Sequence, residues 1–212
     1  MIVTGIEELS RSRCKVCLEE DFAFVLYKGE IRFYGIREGE DLPEESCREI
    51  LEELLPKRAS LRCMHLLKDR PYTESQLRRK LEAAQYPPSS VERALDYVKS
   101  FGYVDDLRYA MDYIENQREK KSRRAMEIDL MRRGIPEEAV REAMRRQEEE
   151  ENGPDEEALA RRWLEKKRFD PGTADYAQRQ KMSAFLYRKG IDGQIIRRLI
   201  FTEALDINDD IV

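Results

Sequence analysis

One stretch decides the fold of this chain: Leu130-Met-Arg-Arg-Gly-Ile135-Pro-Glu-Glu-Ala-Val140-Arg-Glu-Ala-Met144. It predicts the end of one helix, a tight turn and the start of a second helix. Gly134 stands where a left-handed C-cap is favoured, and Pro136 stands at the start of the next helix. Val140 and Met144 lie four residues apart, so they share one face of that second helix.

The same apolar frame occurs three times. Its members lie at relative positions 0, 5, 10 and 14, and the sets are Leu81, Tyr86, Val91 and Leu95; Leu130, Ile135, Val140 and Met144; and Leu186, Ile191, Ile196 and Ile200. Successive frames begin 49 and 56 residues apart. Gly134 and Gly190 match in the second and third frames, whereas the first has Gln85 there. Matched frames at near-constant spacing indicate a tandem helical repeat.

The composition favours long, solvated helices over a compact, sheet-rich enzyme. Charged residues make up 39% of the 212 residues and apolar residues only 41%. No apolar run is long enough to span a membrane. The first 30 residues carry charges throughout and lack the apolar segment of a signal peptide. We therefore expect a cytoplasmic protein without membrane contact.

The cysteines and the single histidine predict neither a metal site nor catalysis. In a reducing cytosol Cys14, Cys17, Cys47 and Cys63 are expected to be free thiols, and the Cys14–Cys17 pair lacks the second ligand pair that structural zinc needs. His65 has no nucleophile at a recognisable spacing, and the chain has no glycine-rich phosphate loop. We expect a protein that is not an enzyme and binds no cofactor.

The chain is predicted to be mainly α, with a small N-terminal antiparallel β segment. The expected divisions are the β segment in residues 1–42, a connecting helix in 43–56, and three-helix repeats in 57–104, 105–152 and 153–212. Strands are predicted at residues 13–18, 22–27 and 31–34, with a hairpin turn at 28–30. Pro43 is expected to begin the connecting helix and Pro56 to end it.

Local signals place several joints within the repeats. Thr73 and Gln76 have the spacing of a capping box, and Ser122 stands at the matching position in the second repeat. The acidic residues 148–154 predict a linker at the end of that repeat. Residues 169–173 are an insertion that explains the longer second spacing, and the third repeat ends in a tail from Asp206 onwards.

Basic residues recur with the repeat and are the candidate binding residues. Arg132 and Arg133 follow Leu130 by two and three positions, and Arg188 and Lys189 follow Leu186 in the same way. Basic residues in last helical turns also complement the helix dipole, so each pair alone can be a solvated helix end. Stacked modules, however, place equivalent positions in a row. The full candidate set is Arg118, Lys120, Lys121, Arg123, Arg124, Arg132, Arg133, Arg161, Lys167, Arg188 and Lys189.

These residues resemble a known family. The run Tyr103-Val-Asp-Asp-Leu-Arg-Tyr-Ala110, the basic joint after it and Leu130-x-x-x-Gly-Ile135 are similar to the signature of RecX, the bacterial regulator of the RecA recombinase. Asp69-Arg-Pro-Tyr-Thr-Glu-Ser-Gln-Leu77 resembles the turn of that family's first repeat, and Lys189-Gly-Ile191 resembles its third. The similarity spans residues 57–205.

The resemblance implies a fold and a partner. The fold would be an elongated, curved array of three three-helix repeats. The protein would bind the RecA–DNA filament. Separately from the resemblance, we expect a monomer and leave open a weak direct contact to single- or double-stranded DNA. It would inhibit recombinase, ATPase and co-protease activity in recombinational repair and the SOS response.

Two alternatives stay open at this point. Three-helix units of this size also resemble DNA-binding domains of helix-turn-helix type. The isoelectric point of about 5.3 speaks against that class. A helical repeat scaffold for another protein partner is the second alternative.

Overall fold

A computed structural model describes residues 1–19, 22–150 and 153–202. Its chain divides into two compact units, Met1–Asp105 and Asp106–Val212. The first unit holds a small sheet and the first three-helix module, and the second unit holds the second and third modules. Each unit is described separately below.

The N-terminal segment is a three-stranded antiparallel sheet in the order β1-β2-β3. The strands are β1 (Val3–Glu8), β2 (Arg13–Leu18) and β3 (Ala23–Tyr27). The predicted strands at 13–18 and 22–27 are confirmed, and β1 is an additional strand that the sequence did not indicate. Val16 lies opposite Phe24 in the register, and both are fully buried. The inward face of the sheet therefore forms a core of its own.

The predicted hairpin turn at 28–30 and strand at 31–34 are wrong. Lys28–Phe33 is instead a short helix, α1. The Glu30 carboxylate accepts a hydrogen bond from the Tyr27 backbone N–H at 2.7 Å and forms an ion pair with Arg58. The contact with Tyr27 satisfies a backbone donor at the helix start. The ion pair holds the Glu30 carboxylate in place, and its partner Arg58 is distant in sequence. Strand propensity alone could not reveal it.

The connecting helix does not end at Pro56 as predicted. It runs as α2 (Glu44–Glu49), a π-helical turn (Ile50–Leu54) and α3 (Leu55–Asp69) without a break. Proline lacks an N–H and crowds the carbonyl four residues earlier, which here is the carbonyl of Glu52. The wider π-helical turn stands directly before Pro56, and the Arg93 guanidinium donates to the Glu52 carbonyl instead. The helix therefore passes through the proline.

Three modules of three helices follow. Module 1 consists of α3, α4 (Glu74–Ala83) and α5 (Pro88–Ser100). Module 2 consists of α6 (Asp106–Gln117), α7 (Arg123–Arg132) and α8 (Glu137–Glu149). Module 3 consists of α9 (Glu156–Lys166), α10 (Tyr176–Arg188) and α11 (Gly193–Arg197), and a π-helical turn (Arg198–Thr202) extends α11. Each module encloses a separate apolar core, and the first frame residue is fully buried in all three.

The frame predicted from the sequence is confirmed at the level of backbone hydrogen bonds. The carbonyl of the first frame residue accepts a bond from the N–H five residues later. The pairs are Leu81 with Tyr86 at 3.2 Å, Leu130 with Ile135 at 3.3 Å, and Leu186 with Ile191 at 3.2 Å. The residue before each donor is left-handed, with φ of +62° at Gln85, +87° at Gly134 and +86° at Gly190. This is the Schellman ending of a helix.

The middle helix of each module also begins in the same way. The N-cap side chains of Thr73, Ser122 and Asp175 accept hydrogen bonds from the backbone N–H three residues later. Thr73 and Gln76 form the predicted capping box, and Asp175 with Gln178 forms another. The helices of the repeat therefore start and stop on matched local chemistry.

Replacing Asp175 with alanine is expected to lower the free energy of unfolding of the second unit by about 1 kcal/mol, because the Gln178 N–H loses its acceptor. Trp163 is the single tryptophan and lies in module 3, so urea unfolding followed by its fluorescence reports on this unit. Asp175→Asn keeps a side-chain oxygen and should retain near wild-type stability. Equal stability of all three proteins would contradict the capping role.

Residues 169–173 lie in a loop between α9 and α10, as predicted, but the loop explains only part of the longer spacing, because α10 has 13 residues and α7 has 10. Asp170 organises it, accepting hydrogen bonds from the Gly172 N–H at 2.9 Å and the Thr173 hydroxyl at 3.0 Å. Helix α8 continues through Glu149, so the first part of the predicted acidic linker is helical. Residues 151 and 152 and the predicted tail from Asp206 lie outside the described residues.

Candidate functional site

A groove between modules 2 and 3 gathers most of the predicted binding residues. We call it the module 2–3 groove; it encloses about 530 Å³. Its lining consists of Lys120, Lys121, Arg124, Ala125, Ile128, Asp129, Arg132, Trp163, Tyr187, Arg188, Lys189 and Gly190. Six of these twelve residues are basic and one is acidic, so the groove carries an excess of positive charge.

A close contact between two helix ends builds the groove. Ser122 caps the start of α7, and its hydroxyl also donates to the Lys189 carbonyl at the end of α10, at 2.8 Å. Gly190 allows this approach, since a Cβ atom there would stand 2.5 Å from the Ser122 oxygen. The basic residues around the start of α7 are thereby placed beside the basic last turn of α10. Residues 67 positions apart in sequence line one surface.

One groove lysine is neutralised by an acidic partner. Lys121 forms an ion pair with Asp129 at 2.5 Å and donates to the Tyr113 hydroxyl at 2.8 Å. The hydrogen bond from Lys121 holds the pKa of Asp129 below its ordinary value, and the Asp129 carboxylate raises the pKa of Lys121. This pair therefore stabilises the joint rather than offering a free charge.

The other five groove cations make no ion pair within the described ranges 1–19, 22–150 and 153–202. They are Lys120, Arg124, Arg132, Arg188 and Lys189. Two of them pack over aromatic rings: Arg124 lies 5.9 Å from the Tyr187 ring centre, and Lys189 lies 5.7 Å from that of Trp163. Unpaired cations converging on one concave surface concentrate positive potential there and attract anions.

The two pairs of basic residues that recur with the repeat do not behave alike. Arg132, Arg188 and Lys189 line the groove, but Arg133 is outside it. Arg133 donates to the Tyr109 hydroxyl at 2.6 Å and packs 4.8 Å from the centre of the Tyr113 ring. It therefore contributes to the packing of module 2.

The remaining candidate residues also lie outside the groove. Arg123 pairs with Glu127 at 3.0 Å and with Glu148, and Arg161 pairs with Glu157 at 2.9 Å. Lys167 lines a neighbouring cavity, and Arg118 is half-buried just after α6.

That neighbouring cavity, of about 520 Å³, contains residues that sequence reasoning missed. Arg168, Lys181 and Arg188 line it together with Lys167, around an apolar floor that includes Phe185. Lys181 could have been found from its spacing, since it precedes Arg188 by seven residues and so shares its face of α10. Trp163 was missed too, although it occupies the position in α9 that Tyr113 occupies in α6.

In acid, the Lys121–Asp129 pair is expected to contribute to the loss of stability. A carboxyl whose pKa is lowered on folding stabilises the folded state above its unfolded pKa and loses that effect as the pH falls through the folded pKa. Because the pair is partly exposed, we expect it to contribute less than about 1 kcal/mol to the unfolding free energy. Asp129→Asn should flatten the dependence of unfolding free energy on pH below about 4. Urea unfolding of both proteins at pH 5 and pH 3 tests this. An equal change in unfolding free energy between the two pH values in both proteins would contradict it.

No metal-binding cluster of three or more His, Cys, Asp or Glu side chains exists among the described residues. All four cysteines are free thiols. Burial raises the pKa of the Cys63 thiol to about 11. Within the same residues, each helix is too short or too polar to cross a lipid bilayer.

Comparison with known proteins identifies the family. Models of the first, second and third three-helix domains of RecX match residues 59–97, 105–144 and 155–200. The regulatory protein RecX of Trichlorobacter lovleyi is 32% identical over 148 residues, which cover 68% of this chain and 94% of that protein. The chain belongs to the RecX family. The regulatory protein RecX of Clostridioides difficile is 24% identical over 205 residues and covers 94% of both chains.

Solved structures of the family share the fold. A crystal structure of regulatory protein RecX matches with a TM-score of 0.61 at 21% identity and covers 94% of this chain. The crystal structure of RecX from Lactobacillus salivarius matches with a TM-score of 0.58 at 16% identity and covers 72%. The predicted tandem of three-helix modules, which follows a small antiparallel sheet along the chain, is confirmed.

Proposed function

We propose that this protein is a non-catalytic regulator that binds the RecA–DNA filament through the module 2–3 groove and inhibits RecA. The observation that carries the proposal is the set of five unpaired cations in one groove of a RecX-family chain. Inhibition would extend to ATP hydrolysis, strand exchange and co-protease activity. The protein would act in the cytoplasm as a monomer.

The chemistry of the groove supports a polyanionic partner. A nucleoprotein filament presents phosphates and carboxylates, and arginine donates to both through its planar fork of N–H groups. Arg124, Arg132 and Arg188 supply three such forks. Several weak contacts along a filament add through effective concentration, so no single contact needs to be tight.

The residue types in the groove support binding rather than catalysis. None of the twelve lining residues is a serine, cysteine or histidine, so the common pairing of a serine or cysteine nucleophile with a histidine base does not occur among them. Asp129 is the acidic residue of the lining, and it is engaged by Lys121.

The test is ATP hydrolysis by RecA on single-stranded DNA, with this protein added at substoichiometric amounts. Hydrolysis should fall, and the protein should show no matching affinity for naked DNA at the same salt concentration. Unchanged hydrolysis at excess protein would remove the RecA proposal and leave a scaffold for another partner.

Direct DNA binding is the second candidate function. The exposed ring of Tyr187 and the half-buried ring of Trp163 stand among the groove cations. Cations interleaved with aromatic rings suit single-stranded nucleic acid. Sub-micromolar affinity for naked DNA that falls steeply with salt would favour this function over filament recognition.

A further inference from the structure

A second basic site lies in the first unit, between the sheet and module 1. We call it the arginine pocket. It encloses about 270 Å³ and is lined by Arg13, Val25, Tyr27, Arg58, Arg62, Ala84 and Tyr86. Arg13 comes from β2, Arg58 and Arg62 come from α3, and Tyr86 follows α4. Three arginines, one from the sheet and two from module 1, therefore line the same pocket.

Arg58 is a fixed wall of this pocket. Its side chain is only 18% exposed, and it donates to the Val25 carbonyl at 3.2 Å. It also forms the ion pair with Glu30 and lies 4.7 Å from the centre of the Tyr27 ring. Such a guanidinium is held before any ligand arrives, so little side-chain entropy is lost when it binds.

Arg13 and Arg62 differ from Arg58 in having no acidic partner. Both side chains are exposed, and neither forms an ion pair with any residue in the described part of the chain. Arg13 stands opposite Tyr27 in the register of β2 and β3. Glu30 offsets one of the three positive charges, so the pocket retains two. Like charges held this close favour a bound anion.

Tyr86 is a second observation that points to a ligand in the arginine pocket, because it brings a polar hydroxyl to a position that is aliphatic in the other modules. It occupies the second position of the apolar frame, where modules 2 and 3 carry Ile135 and Ile191. Its hydroxyl has no hydrogen-bond partner among the described residues, and burial raises its pKa. A protonated hydroxyl can donate to an anion. The preceding Gln85 is left-handed without being glycine, a backbone conformation that L side chains rarely adopt.

We propose that the arginine pocket binds a phosphate group, carried either by free phosphate or by a mononucleotide. Arg13 and Arg62 would donate to its oxygens, Tyr86 would add a hydroxyl donor, and Arg58 would hold the base of the site. Charge-assisted bonds from arginine forks to phosphate are short and strong. A ligand held in this way would tie the N-terminal sheet to module 1. The volume of about 270 Å³ has room for a phosphate group.

The experiment is isothermal titration calorimetry of the full chain with inorganic phosphate and, separately, with adenosine monophosphate, at constant ionic strength. We expect saturable binding that the Arg13→Ala, Arg62→Ala double variant weakens by at least about tenfold. Both side chains are exposed, so the variant should fold, which circular dichroism checks. Tyr86→Phe, which removes only the hydroxyl, should weaken binding by a smaller factor.

Two exposed cations of module 1 outside both basic sites supply the control. Lys68→Ala with Arg79→Ala removes the same amount of positive charge and should leave phosphate affinity within about twofold of wild type. Tighter binding of the nucleotide than of phosphate would identify a nucleotide as the source of the phosphate group, and equal binding would identify free phosphate. Phosphate binding that survives in the Arg13, Arg62 variant, or no saturable binding by wild type, would overturn the proposal.

Discussion

Reversing two groove charges, Arg124→Glu with Arg188→Glu, is expected to weaken inhibition of RecA ATP hydrolysis by at least about tenfold, or roughly 1.4 kcal/mol. Neither cation has an ion-pair partner in the described structure, so the two reversals break no ion pair. Each reversal replaces attraction to an anionic surface with repulsion, and close charge pairs across interfaces are worth more than this total. The measurement is the concentration of variant that halves hydrolysis on single-stranded DNA.

A charge-matched variant separates the groove from net charge. Lys68→Glu with Arg79→Glu changes the net charge by the same amount at two exposed positions in module 1. This control should inhibit within about twofold of wild type. Equal loss in both variants would mean that overall charge, and not the groove, carries the effect. Full inhibition by the folded groove variant would remove the groove from the mechanism.

Replacing Gly190 with alanine is expected to lower the unfolding free energy of the second unit by about 2–4 kcal/mol. The left-handed backbone at φ +86° contributes roughly 1 kcal/mol. The new Cβ atom would also stand 2.5 Å from the Ser122 oxygen, and overpacking of this kind costs about 1–3 kcal/mol. Trp163 fluorescence during urea unfolding measures the change.

A double-mutant cycle with Ser122 identifies the cause of this loss. Ser122→Ala removes the oxygen that the new Cβ would meet, so Gly190→Ala should cost about 1 kcal/mol less in that background. Ser122→Ala alone costs stability because the Ala125 N–H loses its cap. Strict additivity of the two changes would show that the backbone conformation, and not the close approach, explains the loss.

The repeat could be predicted because its determinants are local. A Schellman ending needs a residue that tolerates positive φ, and a capping box needs an acceptor three residues before its amide. Gly134, Gly190 and the pair of Thr73 and Gln76 supply these features within a few positions of one another. Interactions between residues only a few positions apart can be predicted from a sequence.

The two wrong elements depended on distant partners. Residues 31–34 have the composition of a strand, but the Glu30 cap beside them is held by Arg58, 28 residues away. Pro56 has the chemistry of a helix terminator, but Arg93 satisfies the carbonyl that the proline leaves free, 41 residues away from it. Neither partner can be inferred from a local window.

The candidate site, too, has a part that local sequence could predict and a part that depended on distant residues. The recurrence of basic residues at matched positions in modules 2 and 3 could be predicted from the sequence, because repeat offsets are a property of the chain. The different roles of the two residues appear in the packed molecule, where Arg132 lines the groove while Arg133 packs on Tyr109 and Tyr113. Successive residues at a helix end point in directions about 100° apart, so the helices packed nearby settle which of the two reaches a ligand.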